Sequence, residues 1–89
     1  MVRLFVRHTV HDYAAWRKGY DAFEPTRLKL GAKGHAVYRE VADGNDVTVW
    51  HDFDSLETAK AFAGSAELKA AMKGAGVVGA PTVWMTRHA

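Results

Sequence analysis

The chain has 89 residues, of which 12 are Lys or Arg and 10 are Asp or Glu, so its net charge of +2 is too small to indicate a nucleic-acid partner. A hydrophobic fraction of 48% argues against disorder, and the lack of cysteine excludes disulfides and thiolate metal ligands. We expect one domain over residues 1–89 that is cytoplasmic, because no apolar run approaches the roughly 18 residues of a membrane helix and the first residues lack a signal peptide's apolar core.

The chain opens with a predicted strand and a predicted helix. Residues 2–10 alternate, which is typical of a strand, and one face of this strand carries Val2, Leu4, Val6, His8 and Val10. Asp12 can accept hydrogen bonds from the free N–H groups of the next turn, so a helix is expected to begin there. Its inward stripe is aromatic: Tyr13, Trp16, Tyr20 and Phe23. Pro25 breaks this helix or restarts it before it ends near Gly31 and Gly34.

A predicted hairpin follows. Residues 35–42 and 46–53 are rich in β-branched and aromatic side chains, which favours two strands. Between them, residues 43–45 read Asp-Gly-Asn, which predicts a tight turn. Asp54 with Glu57 three residues later has the spacing of a capping box, so a second helix is expected to begin there.

The remaining elements complete a recognisable order. The second helix is expected to be interrupted at residues 64–65, to resume over residues 66–73 and to end in a glycine-rich segment. Pro81 then opens a last strand over residues 82–87. The order β-α-β-β-α-β predicts an α+β, ferredoxin-like fold, with an antiparallel four-stranded sheet and both helices on one face.

The face of the sheet that the helices leave open is expected to carry large aromatic side chains. Phe5 lies on this face, together with Trp50 or a neighbour of Trp50. Aromatic residues on an uncovered sheet suggest a partner sheet, so we expect a homodimer. Charge pairs on the same face would fix the dimer's register, with Glu40 or Asp52 meeting Arg3 and Arg7.

His8 and His51 each interrupt an otherwise apolar strand face. By strand parity both face the helices, and the first and third strands are neighbours at the centre of this fold, so the two imidazoles are expected to lie close together in one cavity. Imidazole accepts a proton near neutral pH, which makes either residue a candidate general base. The alternative is a structural histidine in the core, hydrogen-bonded by Tyr13, Trp16 or Tyr20.

The other candidate ligand contacts are Tyr13, Trp16, Tyr20, Phe62, Met72 and Arg27. The aromatic stripe forms an ordinary core unless a cavity exists, and Arg27 either holds an anionic group at the mouth of a pocket or is an exposed helix residue. A cavity of about 300 Å³ or more touching both histidines would favour a binding site, and a packed interior would favour structural histidines.

Two further patterns do not carry the chemistry that they resemble. Residues 74–80 match the glycine spacing of a dinucleotide site, but they close a helix instead of opening one, so no cofactor is expected. Residues 33–38 resemble an RNA-recognition signature but lack its stacking aromatics, so no RNA partner is expected. His8 and His11 point to opposite faces of a strand, and no metal site is predicted.

Four segments, residues 6–16, 53–57, 65–72 and 76–81, resemble the dimeric α/β-barrel superfamily, and in particular small proteins similar to antibiotic biosynthesis monooxygenases that are often labelled cyclases. The resemblance covers nearly the whole chain. It implies two ferredoxin-like subunits whose sheets face each other, with a pocket between sheet and helices in each subunit.

The resemblance implies several activities, some of which this sequence disfavours. Plant-type polyketide cyclases of this fold carry a catalytic His-Pro-Ala-His stretch on the second helix, where this chain has Gly-Ser-Ala-Glu at residues 64–67. Haem-degrading relatives need a histidine on that helix, and none occurs between Phe53 and Arg87. Two hypotheses therefore remain. One is a cofactor-independent monooxygenase or cyclase acting on an aromatic, polyketide-like molecule with a histidine base. The other is a non-catalytic ligand-binding or dimerisation module.

Overall fold

The computed structural model describes residues 1–89 and contains four strands and four helices. Their bounds are β1 Val2–Val10, α1 Tyr13–Ala22, α2 Glu24–Lys29, β2 Gly34–Arg39, β3 Asp46–Phe53, α3 Leu56–Ala63, α4 Ala66–Gly74 and β4 Val77–Arg87. Each of the two predicted helices is thus a pair of short helices, divided at Phe23 and at residues 64–65. No helix is long and apolar enough to cross a bilayer.

The sheet is antiparallel with strand order β2-β3-β1-β4, and the helices pack on one of its faces, which confirms the predicted α+β, ferredoxin-like arrangement. Alternate residues of β1 and β3 are buried under the helices because successive side chains of a strand point to opposite faces. The core forms two clusters. One lies around Leu4, Phe53 and Phe62, and the other around Trp16 and Val47.

The helix starts follow from side-chain caps. The carboxylate of Asp12 accepts the backbone N–H of Ala15 at 2.9 Å, as predicted. The prediction of Asp54 as the second cap is wrong, because the hydroxyl of Ser55 accepts the N–H of Thr58 at 3.2 Å. Asp54 is exposed and lies 3.8 Å from the ammonium of Lys33.

The predicted hairpin of β2 and β3 is confirmed, and a tight turn occurs at residues 43–46, where the N–H of Asp46 donates to the carbonyl of Asp43 at 3.1 Å, but this turn does not join the two strands directly. β2 ends at Arg39, and a longer connection with two successive turns follows. Asn45 explains this path, because its side-chain oxygen accepts the N–H of Tyr13 at 2.9 Å and its carbonyl accepts the N–H of Val10 at 2.8 Å. The connection is therefore attached to the junction of β1 and α1 instead of closing directly on the hairpin.

β4 begins at Val77, five residues before the predicted start at position 82. Its pairing with β1 shifts register between Arg7 and Thr9, and Gly79, with φ of 72°, lies within the irregular stretch. A bulge of this kind favours glycine because the backbone enters the left-handed region. Pro81 is tolerated in the strand because β4 is an edge of the sheet.

The open face carries an aromatic row flanked by two ion pairs. Phe5 lies opposite both Trp50 and Trp84, and its ring stacks on that of Trp84 with centroids 5.0 Å apart. Arg3 bonds Asp52 through two contacts of 2.8 and 3.0 Å, as one of the predicted pairings had it. The partner of Arg7 is Asp46, at 2.6 and 2.9 Å, and not Glu40, because Asp46 lies at the end of β3 beside β1.

Candidate functional site

A small cavity of about 50 Å³ lies between the helices and the centre of the sheet. The strands supply Val6, His8, Val49 and His51 to its wall. The helices α1, α2 and α3 and the residue between the first two supply Trp16, Gly19, Tyr20, Phe23, Arg27 and Phe62. Helix α4 and the residue after it supply Leu68, Ala71, Met72 and Ala75. The wall is therefore mostly apolar, with two imidazoles and one guanidinium as its strongly polar groups.

Both predicted histidines line this cavity, but they are not adjacent. His51 lies opposite Leu4 in the β1–β3 ladder and His8 lies opposite Val47. The pair formed by Val6 and Val49 stands between them. The two imidazoles therefore occupy different ends of one cavity, and the expectation that they lie close together is wrong.

Neither imidazole is hydrogen-bonded, although both side chains are buried, His8 with 7% and His51 with 5% of its surface exposed. All four ring nitrogens lack a partner. The side chains predicted to donate hydrogen bonds to these histidines do not do so. The hydroxyl of Tyr20 bonds Nδ1 of His35 at 2.6 Å, and Trp16 meets the ring of His8 edge-on at 5.7 Å. Two buried imidazoles whose ring nitrogens lack hydrogen-bond partners thus line a mostly apolar cavity.

Burial lowers the pKa of both histidines, because the charged imidazolium loses its hydration. For His8 the carboxylate of Asp46 opposes this effect. For His51 the charges of Arg27 and His35 add to it, and the pKa falls to about 3. The charges that act on His51 are thus those of Arg27 and His35, and not that of His8.

Arg27 is the most unusual member of the wall. It lies on α2, and only 1% of its surface is exposed, so the alternative of an exposed helix residue is wrong. Its guanidinium lies over the ring of Tyr20 at 4.0 Å and donates a hydrogen bond to the backbone carbonyl of Tyr20. It forms no salt bridge, and its Nε–H has no partner. Burial lowers its pKa from the usual value of 12.5.

The aromatic stripe of α1 divides between the cavity and the surface. Trp16 and Tyr20 stack with centroids 5.0 Å apart and both line the cavity. Burial raises the pKa of Tyr20 to about 12, so its hydroxyl stays a neutral donor. Tyr13 does not line the cavity. Its ring lies against Trp16 on one side and under the guanidinium of Arg39, at 3.9 Å, on another.

His35 is a member of this neighbourhood that the sequence interpretation missed. It lies directly opposite His51 in the β2–β3 ladder, and the two rings stack with centroids 5.9 Å apart. Its ring is exposed at the edge of the helix-covered face, where it accepts or donates the hydrogen bond to Tyr20. The signal was present in the hairpin, because pairing two strands places same-face residues opposite one another. The predicted connection between the strands was too short, and it therefore did not place His35 opposite His51.

A groove of about 360 Å³ adjoins the cavity between α4 and β4. Val6, Leu68 and Met72 line both spaces, and neither histidine lines the groove. The volume that touches the histidines, about 50 Å³, is smaller than the roughly 300 Å³ of a typical ligand pocket. The adjoining groove is large enough, and two side chains of α4 separate it from the cavity.

The fold is that of solved structures described as antibiotic biosynthesis monooxygenases. A protein from Bordetella bronchiseptica, provisionally assigned as an antibiotic biosynthesis monooxygenase, superposes with a TM-score of 0.84 at 18% identity, over 99% of this chain and 96% of that one. SnoaB, a cofactor-independent oxygenase from Streptomyces nogalater, superposes with a TM-score of 0.75 at 14% identity, over 99% and 94% of the two chains. A provisionally assigned protein from Nitrosomonas europaea gives 0.76 at 11% identity, over 99% and 98%. At these identities the likeness establishes the fold. No family model and no curated protein matches the sequence.

Proposed function

We propose that the cavity binds a small aromatic, polyketide-like molecule and that a histidine of its wall acts on that molecule as a general base. The observation that carries this proposal is the pair of buried imidazoles without a single hydrogen bond among four ring nitrogens. A core histidine is normally satisfied by a neighbour, because a buried polar group without a partner costs about 1–3 kcal/mol. A ligand hydroxyl or acidic C–H entering the cavity would supply that partner.

The two histidines are suited to different parts of such a reaction. His8 is near the carboxylate of Asp46, which favours the imidazolium that forms when a base takes a proton. His51 is under the field of Arg27, which disfavours a second positive charge there. We therefore assign the base to His8 and give His51 the role of a neutral hydrogen-bond acceptor that orients the ligand.

Removing a proton from a phenol leaves a phenolate with carbanion character at a ring C–H, and removing one from a CH₂ between aromatic rings leaves a carbanion that still bears one hydrogen. In the monooxygenase branch this anion reduces O₂, a hydroperoxide forms at the carbon, and loss of water leaves a ketone, so one oxygen atom enters the product and the other leaves as water. In the cyclase branch the same anion attacks an internal carbonyl. The likeness to SnoaB, a cofactor-independent oxygenase, supports the first branch at the level of the fold. Neither branch requires a cofactor.

Access to the cavity would come from the groove between α4 and β4. Leu68 and Met72 separate the two spaces, and α4 contributes no fully buried residue. A helix held this weakly can move outward at low cost. A ligand larger than the 50 Å³ of the cavity would therefore occupy cavity and groove together, with its reacting group at the histidines and its remainder beside β4.

A second candidate function is a non-catalytic module that binds a ligand or only dimerises. The observation that favours it is the small volume of the cavity, about 50 Å³. In this case His8 and His51 are structural and a ligand, if any, occupies the groove. In both cases we propose that two copies meet through the open faces of their sheets.

Substitution of each histidine by asparagine distinguishes these functions. His8→Asn and His51→Asn keep a polar side chain but remove the base, and His11→Asn at an exposed position is the matched control. Binding of a phenolic panel is followed by calorimetry, and turnover by oxygen uptake and by mass analysis of the products. We expect His8→Asn to abolish turnover and His51→Asn to weaken binding. Turnover or binding that is unchanged in both variants would establish the structural role.

A further inference from the structure

Arg27 is the one group of the cavity wall that carries a formal charge at neutral pH. The other titratable members of the wall, His8, His51 and Tyr20, are neutral there, because burial lowers the pKa of the two histidines and raises that of the tyrosine. The remaining members of the wall have no ionisable side chain. The wall of the cavity therefore carries one positive charge and no negative charge.

No carboxylate of the protein pairs directly with this charge, and the attraction of Glu24 and Asp21 is smaller than the effect of burial on the pKa of Arg27. The acidic residues near Arg27 are Asp21 and Glu24; both are exposed, and neither forms a salt bridge with it. Arg17 provides the contrast, since its guanidinium also lies over Tyr20 but bonds Asp21 at 3.0 Å. Burying an unpaired charge is costly, and an apolar side chain of the same size would fill the space more cheaply. A buried guanidinium without an ion-pair partner is therefore a candidate binding group for a negatively charged ligand.

We propose that the ligand of this cavity is a monoanion, an aromatic carboxylate whose charged group pairs with Arg27. This inference rests on the proposed ligand-binding function of the cavity and adds the charge class of the ligand. One negative charge would neutralise the single positive charge of the wall, whereas a dianion would leave an excess. The face of the guanidinium lies on Tyr20, and the free Nε–H offers a donor to a carboxylate oxygen.

A matched pair of probes tests the charge alone. Benzoate and benzamide have nearly the same shape, and naphthoate and naphthamide extend the comparison to a ligand that reaches the groove. Binding to the intact protein at neutral pH is measured by calorimetry and by NMR. We expect each carboxylate to bind roughly tenfold or more tightly than its amide, which corresponds to one charge-assisted hydrogen bond.

Three variants test whether Arg27 causes the preference for carboxylates over amides. Arg27→Met is expected to bring carboxylate and amide to within about twofold of each other, and Arg27→Lys to restore part of the preference. Arg17→Met is the control and is expected to keep the wild-type preference, because Arg17 does not line the cavity. Far-UV circular dichroism checks that each variant is folded.

A measurement on the wild-type protein keeps the test independent of the variants' folding. The Nε–H resonance of Arg27 should shift on addition of a carboxylate and not of its amide, and that of Arg17 should stay unchanged. Equal affinity for carboxylate and amide, or an unmoved Arg27 resonance, overturns the monoanion while leaving the proposed binding function in place. Failure of all four probes to bind overturns both proposals.

Discussion

His51 connects the candidate site to the acid stability of the protein. In the folded state its pKa is about 3, and in the unfolded chain it returns to its ordinary value of 6.5. Between these two values the unfolded chain binds a proton that the folded protein does not, so the free energy of unfolding falls as the pH falls. The contribution of His51 to stability is therefore fully present above pH 6.5 and is lost progressively towards pH 3.

We predict that His51→Gln flattens this pH dependence. Wild-type protein should lose roughly 3 kcal/mol through His51 between pH 6.5 and about pH 4, and the variant should keep that part of its stability. Urea unfolding at a series of pH values measures the difference. His88→Gln is the control, since this histidine is exposed near the end of the chain, and it should retain the wild-type slope. Parallel slopes for His51→Gln and wild type would contradict the burial of a neutral His51.

Trp16 supports the core whatever the function of the cavity. Only 3% of its surface is exposed, and its ring contacts His8, Tyr13 and Tyr20. We predict that Trp16→Ala lowers the free energy of unfolding by about 3–5 kcal/mol through lost burial and the cavity that it leaves. Denaturant unfolding tests this value. A midpoint equal to that of the wild type would show that Trp16 is not a core residue.

For single residues, strand parity predicted burial from the sequence better than the sequence predicted hydrogen-bond partners. Alternation along β1 and β3 placed His8 and His51 under the helices correctly. It could not place Arg27, because burial of a charged helix residue depends on the helices packed around it. Nor could it show that Tyr20 bonds His35 in preference to a cavity histidine, since a hydroxyl's choice among neighbours is set by distances of a few tenths of an ångström.

Among the helices, α4 is held to the rest of the molecule by the least burial. It contributes no fully buried residue, whereas α3 buries Ala59 and Phe62 completely. The hydroxyl of Ser65 caps α4 by accepting the N–H of Leu68 at 3.1 Å. Because few other contacts restrain this helix, the cap should make a large contribution to its local stability.

We predict that Ser65→Ala opens α4 locally. Loss of the cap costs about 1 kcal/mol, which corresponds to roughly fivefold faster amide exchange within Ala66–Gly74. The matched control is Ser55→Ala, which removes the corresponding cap of α3 and should have a smaller local effect because Phe62 anchors that helix. Hydrogen exchange monitored by NMR measures both. Exchange in α4 as slow as in α3, in the wild type and in the variant, would exclude this helix as the route into the cavity.

The elements that the sequence located less well are those governed by contacts between distant segments. The connection from β2 to β3 is lengthened by the bonds from Asn45 to Val10 and Tyr13, which no local turn pattern contains. The early start of β4 depends on pairing with β1, where Val77 lies opposite Val10. Strand pairing of this kind is a tertiary interaction, and a segment with weak local preference adopts it.

At the scale of the whole molecule, the two faces of the sheet are unequal. One is covered by four helices and contains the core, and the other carries an uncovered aromatic row with Trp84 at 40% exposure. Arg3 covers the ring of Trp50 at 3.6 Å and is held by Asp52, so part of this face is already ordered without a partner. A rigid apolar centre flanked by paired charges is typical of an interface between identical chains.

We predict that the protein is a homodimer formed through this face, and that Trp84→Lys dissociates it. Stacked against Phe5, Trp84 would lie near the centre of the interface, where a lysine ammonium would lose its hydration without a carboxylate to receive it. Light scattering after size exclusion at micromolar concentration should give about twice 9.8 kDa for the wild type and 9.8 kDa for the variant. Leu28→Lys is the control, because this residue is 60% exposed on α2, away from the open face, and its substitution should leave the mass unchanged. A wild-type mass of 9.8 kDa would rule out the dimer, and a dimeric Trp84→Lys variant would place its interface elsewhere.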